Sequence, residues 1–248
     1  PTQNIGDKKF GVFQLELPVF EEISEELGLL KVRTGENTAF ARHPLAFLVE
    51  AADDICYTII DFEDGINLGL IDEEYALEYL INLVRKNINT SKYNSLSNTA
   101  DRLSYLRALA IGTLINEAVE IFLRNEDAIL AGEFHQSLFD KSSYEAQIKD
   151  IIKISVEKVY KSEEVINKEI AGYQMLTHLL DTYTQAFIPE KGLTVSNFDK
   201  LVKRSVPKLV IDEKDTLYSS LLKICSYTAS LTDSFTVASF KKYRGLRI

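Results

Sequence analysis

Cysteines, histidines and long apolar runs are scarce in this sequence. Its two cysteines, Cys56 and Cys225, lie far apart and form no CxxC pair, so we expect two buried free thiols in a reducing compartment. No stretch approaches the roughly 20 consecutive apolar residues that a membrane span requires. The opening residues are polar and lack the pattern of a signal peptide. These absences predict a soluble, cytoplasmic protein that does not enter a membrane.

An excess of basic residues is also lacking. The formal net charge is −9, which argues against a general nucleic-acid-binding protein. An acidic protein can still hold an anionic substrate where a metal ion or a local Arg/Lys cluster supplies positive charge. With 46% hydrophobic residues among 248, the chain has enough apolar side chains for one substantial core or two small ones.

Apolar residues recur every three or four positions through most of the chain, which predicts an all-α protein. Alternating strand-like patterns are nearly absent, apart from a short segment, GVFQLEL at residues 11–17, that we expect to be extended. Proline, Asp72 and glycine mark several helix ends. The predicted helices are 18–28, 44–65, 73–86, 99–124, 143–160, 162–186, 195–204, 213–228 and 231–243.

The composition changes near residue 130. Residues 1–130 are dense in apolar helix, whereas residues 131–248 are more charged and more often interrupted. We therefore predict a first region of residues 1–130 and a second helical region of residues 131–248. No internal repeat is evident.

The predicted helix that begins at Pro44 carries an unusual row of polar side chains. Glu50, Asp53, Tyr57 and Asp61 follow one another at intervals of three, four and four. Each four-residue step turns an ideal helix by only about 40°, so these side chains share one face, and Asp53 and Asp61 stand about 12 Å apart along the axis. Apolar residues lie on both flanks of the row, which predicts a helix that is buried on most sides. They are Leu45, Leu48, Val49, Ile55, Ile59 and Ile60.

Two interpretations of this acidic row remain open on the residues alone. Buried carboxylates are costly unless they are paired or bind a metal, so the row is typical of a binding site. Ion pairs between Asp53, Asp54 or Asp61 and basic residues of other helices would satisfy the same requirement. On the residues alone, a tyrosine of the hydrophobic core is the favoured interpretation of Tyr57.

The segment EAADDICYTIIDFED, residues 50–64, resembles the part of dGTP triphosphohydrolase-like enzymes that holds the final metal ligand of the HD motif. Further segments are similar to the family in the family's order: RHPLAFLVEAADDI, LRALAIGTLI, YTASLTDSFTVASF and KKYRG. The resemblance spans almost the whole chain. It implies an HD-domain-like helical bundle, incomplete at its N-terminus, in which residues 1–130 belong to the catalytic domain and residues 131–248 form a helical extension.

The resemblance also implies roles for the polar row. Asp53 would be the catalytic aspartate that completes a metal site for Mg²⁺, Mn²⁺ or Fe, all of which accept hard carboxylate ligands. Tyr57 would pack against the deoxyribose and leave no room for a 2′-hydroxyl. Asp61 would accept a hydrogen bond from the sugar 3′-hydroxyl.

The resemblance also leads to expectations for three more residues. Glu50 is expected to orient a metal-binding histidine, and Asp54, turned about 100° from Asp53, is expected to hold a neighbouring helix through an arginine. Arg107, within LRALAIGTLI, is a candidate contact to substrate, with a structural salt bridge as the alternative.

The complete enzyme is expected to hydrolyse a deoxynucleoside triphosphate to the deoxynucleoside and inorganic triphosphate. HD enzymes need a histidine and a His-Asp dipeptide before the final aspartate, yet His43, His135 and His178 are the only histidines here, and none precedes an aspartate. We therefore expect the histidine-bearing segment to lie outside this chain and the chain alone to be inactive. The alternatives are another HD nucleotide phosphohydrolase and a non-catalytic helical regulatory or assembly module.

Partners are expected from the resemblance as well. Relatives commonly form ring-like homo-oligomers, hexamers among them, with nucleotide effectors at subunit junctions. Two basic groups could contact effector phosphates or single-stranded nucleic acid, although solvated surface charge explains both. They are Lys200, Lys203, Arg204 and Lys208, and Lys241, Lys242, Arg244 and Arg247.

Overall fold

Side-chain caps fix where several helices begin. A computed structural model of the chain describes residues 11–33, 38–188 and 194–246. The Asp72 carboxylate accepts a hydrogen bond from the Tyr75 amide at 3.1 Å, and the Asn98 side chain accepts one from the Asp101 amide at 2.7 Å. Each bond satisfies an amide of the first helical turn that has no partner inside the helix. The predicted cap at Asp72 is thereby confirmed.

Helices make up most of the described structure, which confirms the all-α prediction. A 3₁₀ turn spans Phe139–Lys141, and a π-helical turn spans Val156–Tyr160. The helices are α1 Leu17–Glu26, α2 Pro44–Asn67, α3 Glu73–Val84, α4 Thr90–Ser95, α5 Thr99–Arg124, α6 Glu126–Leu130, α7 Glu145–Ser155, α8 Glu163–Phe187, α9 Asn197–Ser205, α10 Leu217–Ala229 and α11 Asp233–Tyr243.

The extended segment predicted at residues 11–17 is not a strand. Residues 14–16 form a turn and α1 begins at Leu17, because Pro18 has a backbone angle that suits the first helical turn. The strands lie elsewhere: β1, Lys31–Arg33, pairs antiparallel with β2, Ala39–Phe40. Their few residues are too short for an alternating pattern to be visible in the sequence.

The long helices match the predictions closely, and the short ones were missed. The predicted helix 99–124 has the observed bounds of α5. The predicted helix 143–160 is divided into α7 and the π turn. The predicted helix 73–86 ends earlier, at Val84, so its two terminal basic residues follow the helix. Helices α4 and α6 span barely one or two turns, too short for apolar periodicity to identify them.

The first compact unit ends at Ser162. Its core forms where α2 packs against α5 and α7, and where α3 packs against the same two helices. Phe62 of α2 is fully buried, and its ring contacts Tyr79 of α3 edge to face at 6.2 Å between centroids. The remaining core side chains include Ile59, Leu83, Leu106, Leu114 and Ile151.

The second compact unit begins at Glu163. Helix α8 packs against α9, α10 and α11, and Leu179, Tyr183 and Ala186 on α8 are fully buried. Val202 of α9 and Ile224 of α10 complete this core with Val206 and Leu209. The structural boundary therefore lies between residues 162 and 163, whereas the composition changes near residue 130. The predicted division of function at residue 130 stays a prediction.

The described part of the chain contains no candidate membrane span. No helix there is both long and apolar enough to cross a bilayer.

Candidate functional site

Helix α2 positions the polar row that the sequence singled out. The helix begins at Pro44, and the Nδ1 atom of His43 accepts a hydrogen bond from the Leu45 amide at 3.2 Å. His43 is therefore a helix cap. One face of α2 enters the core through Phe47, Ile55 and Phe62, among others. This packing fixes the rotation of the helix and hence the direction of the polar row.

The opposite face of α2 is open, which contradicts the prediction that the helix is buried on most sides. Val49 is 70% exposed and Tyr57 59% exposed, and Leu45 and Ile60 are exposed too. The physical reason is that α5, α7 and the π turn are the main partners of α2, and the residues that they bury lie on the face of Phe47, Ile55 and Phe62. Cys56 on this face and Cys225 in the second unit are free but exposed, so the prediction of buried thiols was wrong.

Asp53 lies on the open face, one turn before Tyr57. Its side chain is exposed and makes no hydrogen bond or ion pair with any residue that the structure describes. An ion pair with an arginine of another helix, the main alternative for this carboxylate, is thus not observed. Asp53 remains accessible to an external ligand.

Asp61, two turns after Asp53, is bonded to a tyrosine from a distant part of the sequence. The hydroxyl of Tyr160, in the π turn, donates a hydrogen bond to Asp61 Oδ2. Burial of the phenol and then this bond to the carboxylate raise the pKa of Tyr160 to about 12. Sequence reasoning missed Tyr160. Nothing in the local pattern identifies it, because the pairing depends on how α7 and α2 pack.

Glu50 does not contact a histidine in the described structure. Its Oε2 atom accepts a hydrogen bond from Nη1 of Arg42 at 2.8 Å, and its side chain is only 9% exposed. The Arg42 guanidinium also lies 4.5 Å from the centre of the Phe47 ring. Glu50 and Arg42 therefore anchor the start of α2, and the expected role of Glu50 in orienting a ligand stays a prediction. Asp54 is half-buried beside the row.

Arg107 is engaged in an ion pair. Its Nη1 atom donates to both carboxylate oxygens of Glu63, at 2.8 and 2.7 Å. The pair joins α5 to α2 two residues beyond Asp61. The Arg107 side chain keeps 38% of its surface exposed, so a contact to substrate stays a prediction beside the observed structural role.

His43, whose ring caps α2, lies ten residues before Asp53 in the sequence. His135 is exposed. The ring of His178 packs edge to face against the Phe240 ring in the second unit, with 5.4 Å between the ring centroids. Across the described residues, no group of three or more His, Cys, Asp or Glu side chains could hold a metal ion. Asp53 alone supplies one carboxylate, so these residues do not by themselves fit a catalytic metal.

Curated relatives resemble nearly the whole chain. A deoxyguanosinetriphosphate triphosphohydrolase-like protein of Synechocystis sp. is 32% identical over 241 residues, which are 97% of this chain and 53% of the relative. One from Pseudomonas aeruginosa is 31% identical over 247 residues, 96% of this chain and 54% of the relative. The chain belongs to the deoxyguanosinetriphosphate triphosphohydrolase-like family. No family model matches it.

The likeness extends to a family member whose name states the activity itself. A deoxyguanosinetriphosphate triphosphohydrolase of Yersinia enterocolitica is 28% identical over 204 residues, 75% of this chain and 39% of the relative. The chain spans about half the length of the triphosphohydrolase-like relatives that match it over most of its residues.

Proposed function

We propose that the chain forms part of a deoxynucleoside triphosphate triphosphohydrolase, acting on dGTP or other dNTPs. The observation that carries the proposal is the row Asp53, Tyr57 and Asp61 on one helix, in which Asp53 and Tyr57 are exposed and the half-buried Asp61 is bonded to Tyr160. The names of the curated relatives support the same activity. The products would be the deoxynucleoside and inorganic triphosphate.

Tyr57 and Asp61 would bind the sugar. The exposed ring of Tyr57 offers a flat apolar surface against which a deoxyribose packs closely, and this leaves little room for a 2′-hydroxyl. Asp61 would accept a hydrogen bond from the 3′-hydroxyl, with Tyr160 holding its other side. A site built around such a bond rejects a sugar without the hydroxyl, because the carboxylate would then lose its partner.

Asp53 would serve as one ligand of a divalent metal, for which Mg²⁺, Mn²⁺ and Fe are the candidates. The remaining ligands would come from residues outside those that the structure describes. The exposed apolar side chains beside Asp53, Leu45 and Val49 among them, provide a surface on which such residues would pack. The chain alone is therefore expected to bind no catalytic metal tightly and to hydrolyse nothing.

Product analysis tests the activity. The complete protein, in its longest purified form, is incubated with each dNTP and with Mg²⁺, Mn²⁺ or Fe²⁺ in turn, and the released phosphate species are separated. Inorganic triphosphate is expected, and Asp53→Ala should abolish its release. A complete protein that releases no triphosphate from any dNTP would contradict the proposal. Activity from the isolated 248 residues would instead refute the claim that this chain is inactive alone.

The role of Asp61 is tested with sugar analogues. The wild-type enzyme is expected to prefer a dNTP over the matching 2′,3′-dideoxynucleotide by at least about 100-fold in kcat/KM, because only the former has a 3′-hydroxyl. Asp61→Asn should reduce this ratio mainly by slowing dNTP hydrolysis. If Asp61→Asn leaves this ratio of kcat/KM values unchanged, Asp61 does not bind the 3′-hydroxyl. Lys168→Gln, on an exposed surface pair with Glu164, is the matched control.

Two other functions remain as rivals. Release of inorganic phosphate or pyrophosphate would indicate another HD-type nucleotide phosphohydrolase. The lack of a three-ligand group in the described residues favours a non-catalytic regulatory or assembly module. Metal analysis of the purified complete protein separates the cases, because such a module would carry no stoichiometric metal.

We also propose that the complete protein is a homo-oligomer, with a hexamer as the expected form, and that a nucleotide effector binds it. Lys200 and Arg204 are exposed on α9, whereas Lys203 lies 5.5 Å from the Phe187 ring. These basic side chains would bind the phosphates of an effector or of single-stranded nucleic acid. Light scattering with and without dNTPs tests the assembly, and a particle mass that stays monomeric would contradict it.

A further inference from the structure

Gly65, in the last turn of α2, lies against Val159 of the π turn and against Ile71. A β-carbon added at position 65 would lie 2.6 Å from Cγ2 of Val159 and 2.7 Å from Cδ1 of Ile71. Real side chains essentially never approach so closely, and the stiff branched side chain of Val159 has few ways to yield. The absence of a side chain at position 65 is therefore a condition of this packing.

Two adjacent contacts join the same two elements. Val159 packs on Gly65, and the next residue, Tyr160, donates its hydroxyl to Asp61. Asp61 lies one turn before Gly65 and is rotated from it by only about 40° on an ideal helix. The distance between α2 and the π turn thus determines whether the Tyr160 hydroxyl reaches the carboxylate.

The π turn is an irregular feature that needs support from its surroundings. Its i→i+5 pattern accommodates one more residue per turn than the α-helix, which redirects the side chains that follow. Directly before it, the buried Ser155 hydroxyl has no hydrogen-bond partner among the described residues. An unsatisfied buried hydroxyl costs free energy, so the turn persists through its packing, in which Val159 is buried.

We propose that Gly65 is a positioning residue: its missing side chain lets Val159 seat on α2 so that Tyr160 holds the Asp61 carboxylate in one orientation. The consequence for substrate, an Asp61 oxygen directed at the sugar 3′-hydroxyl, rests on the proposed function. The Gly65–Val159–Tyr160–Asp61 relationship itself does not.

The test is the ionisation of Tyr160 in the 248-residue chain without substrate. Ultraviolet spectra at pH 11 are compared between the wild type and Tyr160→Phe, and the difference reports the phenolate of Tyr160 alone. A phenol with an ordinary pKa near 10 is roughly nine-tenths ionised at this pH, and one with a pKa near 12 roughly one-tenth. The wild-type difference should therefore be small, and Asp61→Asn should increase it.

In the Gly65→Ala background, the same comparison is made between Gly65→Ala and Gly65→Ala/Tyr160→Phe. The difference should then approach the absorbance of one fully ionised tyrosine. Gly112→Ala is the matched control, because this helical glycine has no atom within 4 Å of an added β-carbon, and it should leave Tyr160 un-ionised. A triple variant that combines Gly65→Ala with Val159→Ala and Ile71→Val removes the two atoms that lie within 3.0 Å of the added β-carbon and should restore the small difference. Circular dichroism at pH 11 verifies that each variant is folded.

A folded Gly65→Ala protein in which Tyr160 stays un-ionised would overturn the proposal and leave Gly65 a packing residue only. If Gly65→Ala does not fold, Val159→Ile tests the proposal with Gly65 intact. The added methyl group forces the π turn away from α2, so the phenolate signal of Tyr160 at pH 11 should increase. A partial gain of phenolate supports the proposal, and no gain refutes it. Because no substrate is present, neither result depends on the enzyme activity.

Discussion

Arg107 on α5 holds Glu63 on α2 through one guanidinium nitrogen that donates to both carboxylate oxygens, at 2.8 and 2.7 Å. Glu63 lies two residues after Asp61, so the pair fixes the end of the polar row against α5. From the sequence, a contact to substrate and a structural salt bridge are both open for Arg107. A double-mutant cycle can distinguish a purely structural arginine from one that also binds.

For this cycle, we expect a modest coupling between Arg107→Ala and Glu63→Ala in urea unfolding, about 0.5–1 kcal/mol, because Arg107 is partly exposed and solvent screens the pair. The exposed pair Glu120 and Arg124 on the same helix is the control and should couple less. In an active form of the protein, equal effects of the two substitutions on KM would mean that Arg107 acts only through Glu63. A larger rise in KM for Arg107→Ala would support a direct substrate contact.

The two faces of α2 should respond differently to truncation. Phe62→Ala removes a fully buried ring and should lower the free energy of unfolding of the first unit by about 3–5 kcal/mol. Tyr57→Ala, on the open face, should change it by less than about 0.5 kcal/mol. Urea unfolding followed by circular dichroism measures both. A large destabilisation by Tyr57→Ala would show that Tyr57 has a structural role in the core, which was the alternative considered from the sequence.

Two glycine substitutions should have opposite signs. Gly112→Ala, inside α5 with open space around the added carbon, should stabilise the first unit by about 0.5–1 kcal/mol. Gly132→Ala should destabilise it by about 1–2 kcal/mol, because φ is +71° and Ala41 Cβ would lie 3.0 Å away. The thermal midpoint reports both changes. Equal shifts would contradict the backbone argument.

The N-terminus of α9 should make the second unit sensitive to acid. Ser196 and Asp199 form a reciprocal cap. The Asp199 amide donates a hydrogen bond to Ser196 Oγ at 3.0 Å, and the Asp199 carboxylate accepts one from the Ser196 amide. Hydrogen bonds from the Ser196 side chain, and then from its backbone amide, lower the pKa of Asp199 below its ordinary 3.8. Because the folded pKa is lowered, this stabilisation is present above pH 3.8 and is lost as the pH falls through the lowered value.

Ser196→Ala should cost about 1 kcal/mol at neutral pH through loss of the cap. It should also flatten the acid dependence of unfolding of the second unit, measured by urea titration between pH 6 and about pH 2. Ser230→Ala is a suitable control, because its hydroxyl donates to the Tyr227 carbonyl at a helix end and no carboxylate is involved in that bond. If the free energy of unfolding of Ser196→Ala depends on pH as strongly as that of the wild type, other carboxylates cause the acid sensitivity.

The sequence predicted the long helices well and the surroundings of the site poorly, for a physical reason. Caps and apolar spacing are local, so Asp72 and the bounds of α5 could be predicted from neighbouring residues. The open side of α2 and the partner of Asp61 depend on tertiary packing. Tyr160 lies 99 positions from Asp61, and the turn that carries it departs from α geometry, so no helical periodicity could have paired the two.

Two hydrophobic cores that share no residue have a consequence for every unfolding measurement. One core is built on Phe62 and Leu106, the other on Leu179 and Ile224. Each can melt at its own denaturant concentration, so a single sigmoidal fit to the whole chain would average two free energies. A separate spectroscopic probe in each unit would show which unit unfolds at the lower denaturant concentration. In the second unit, the packed rings of Tyr183 and Tyr227 are such a probe.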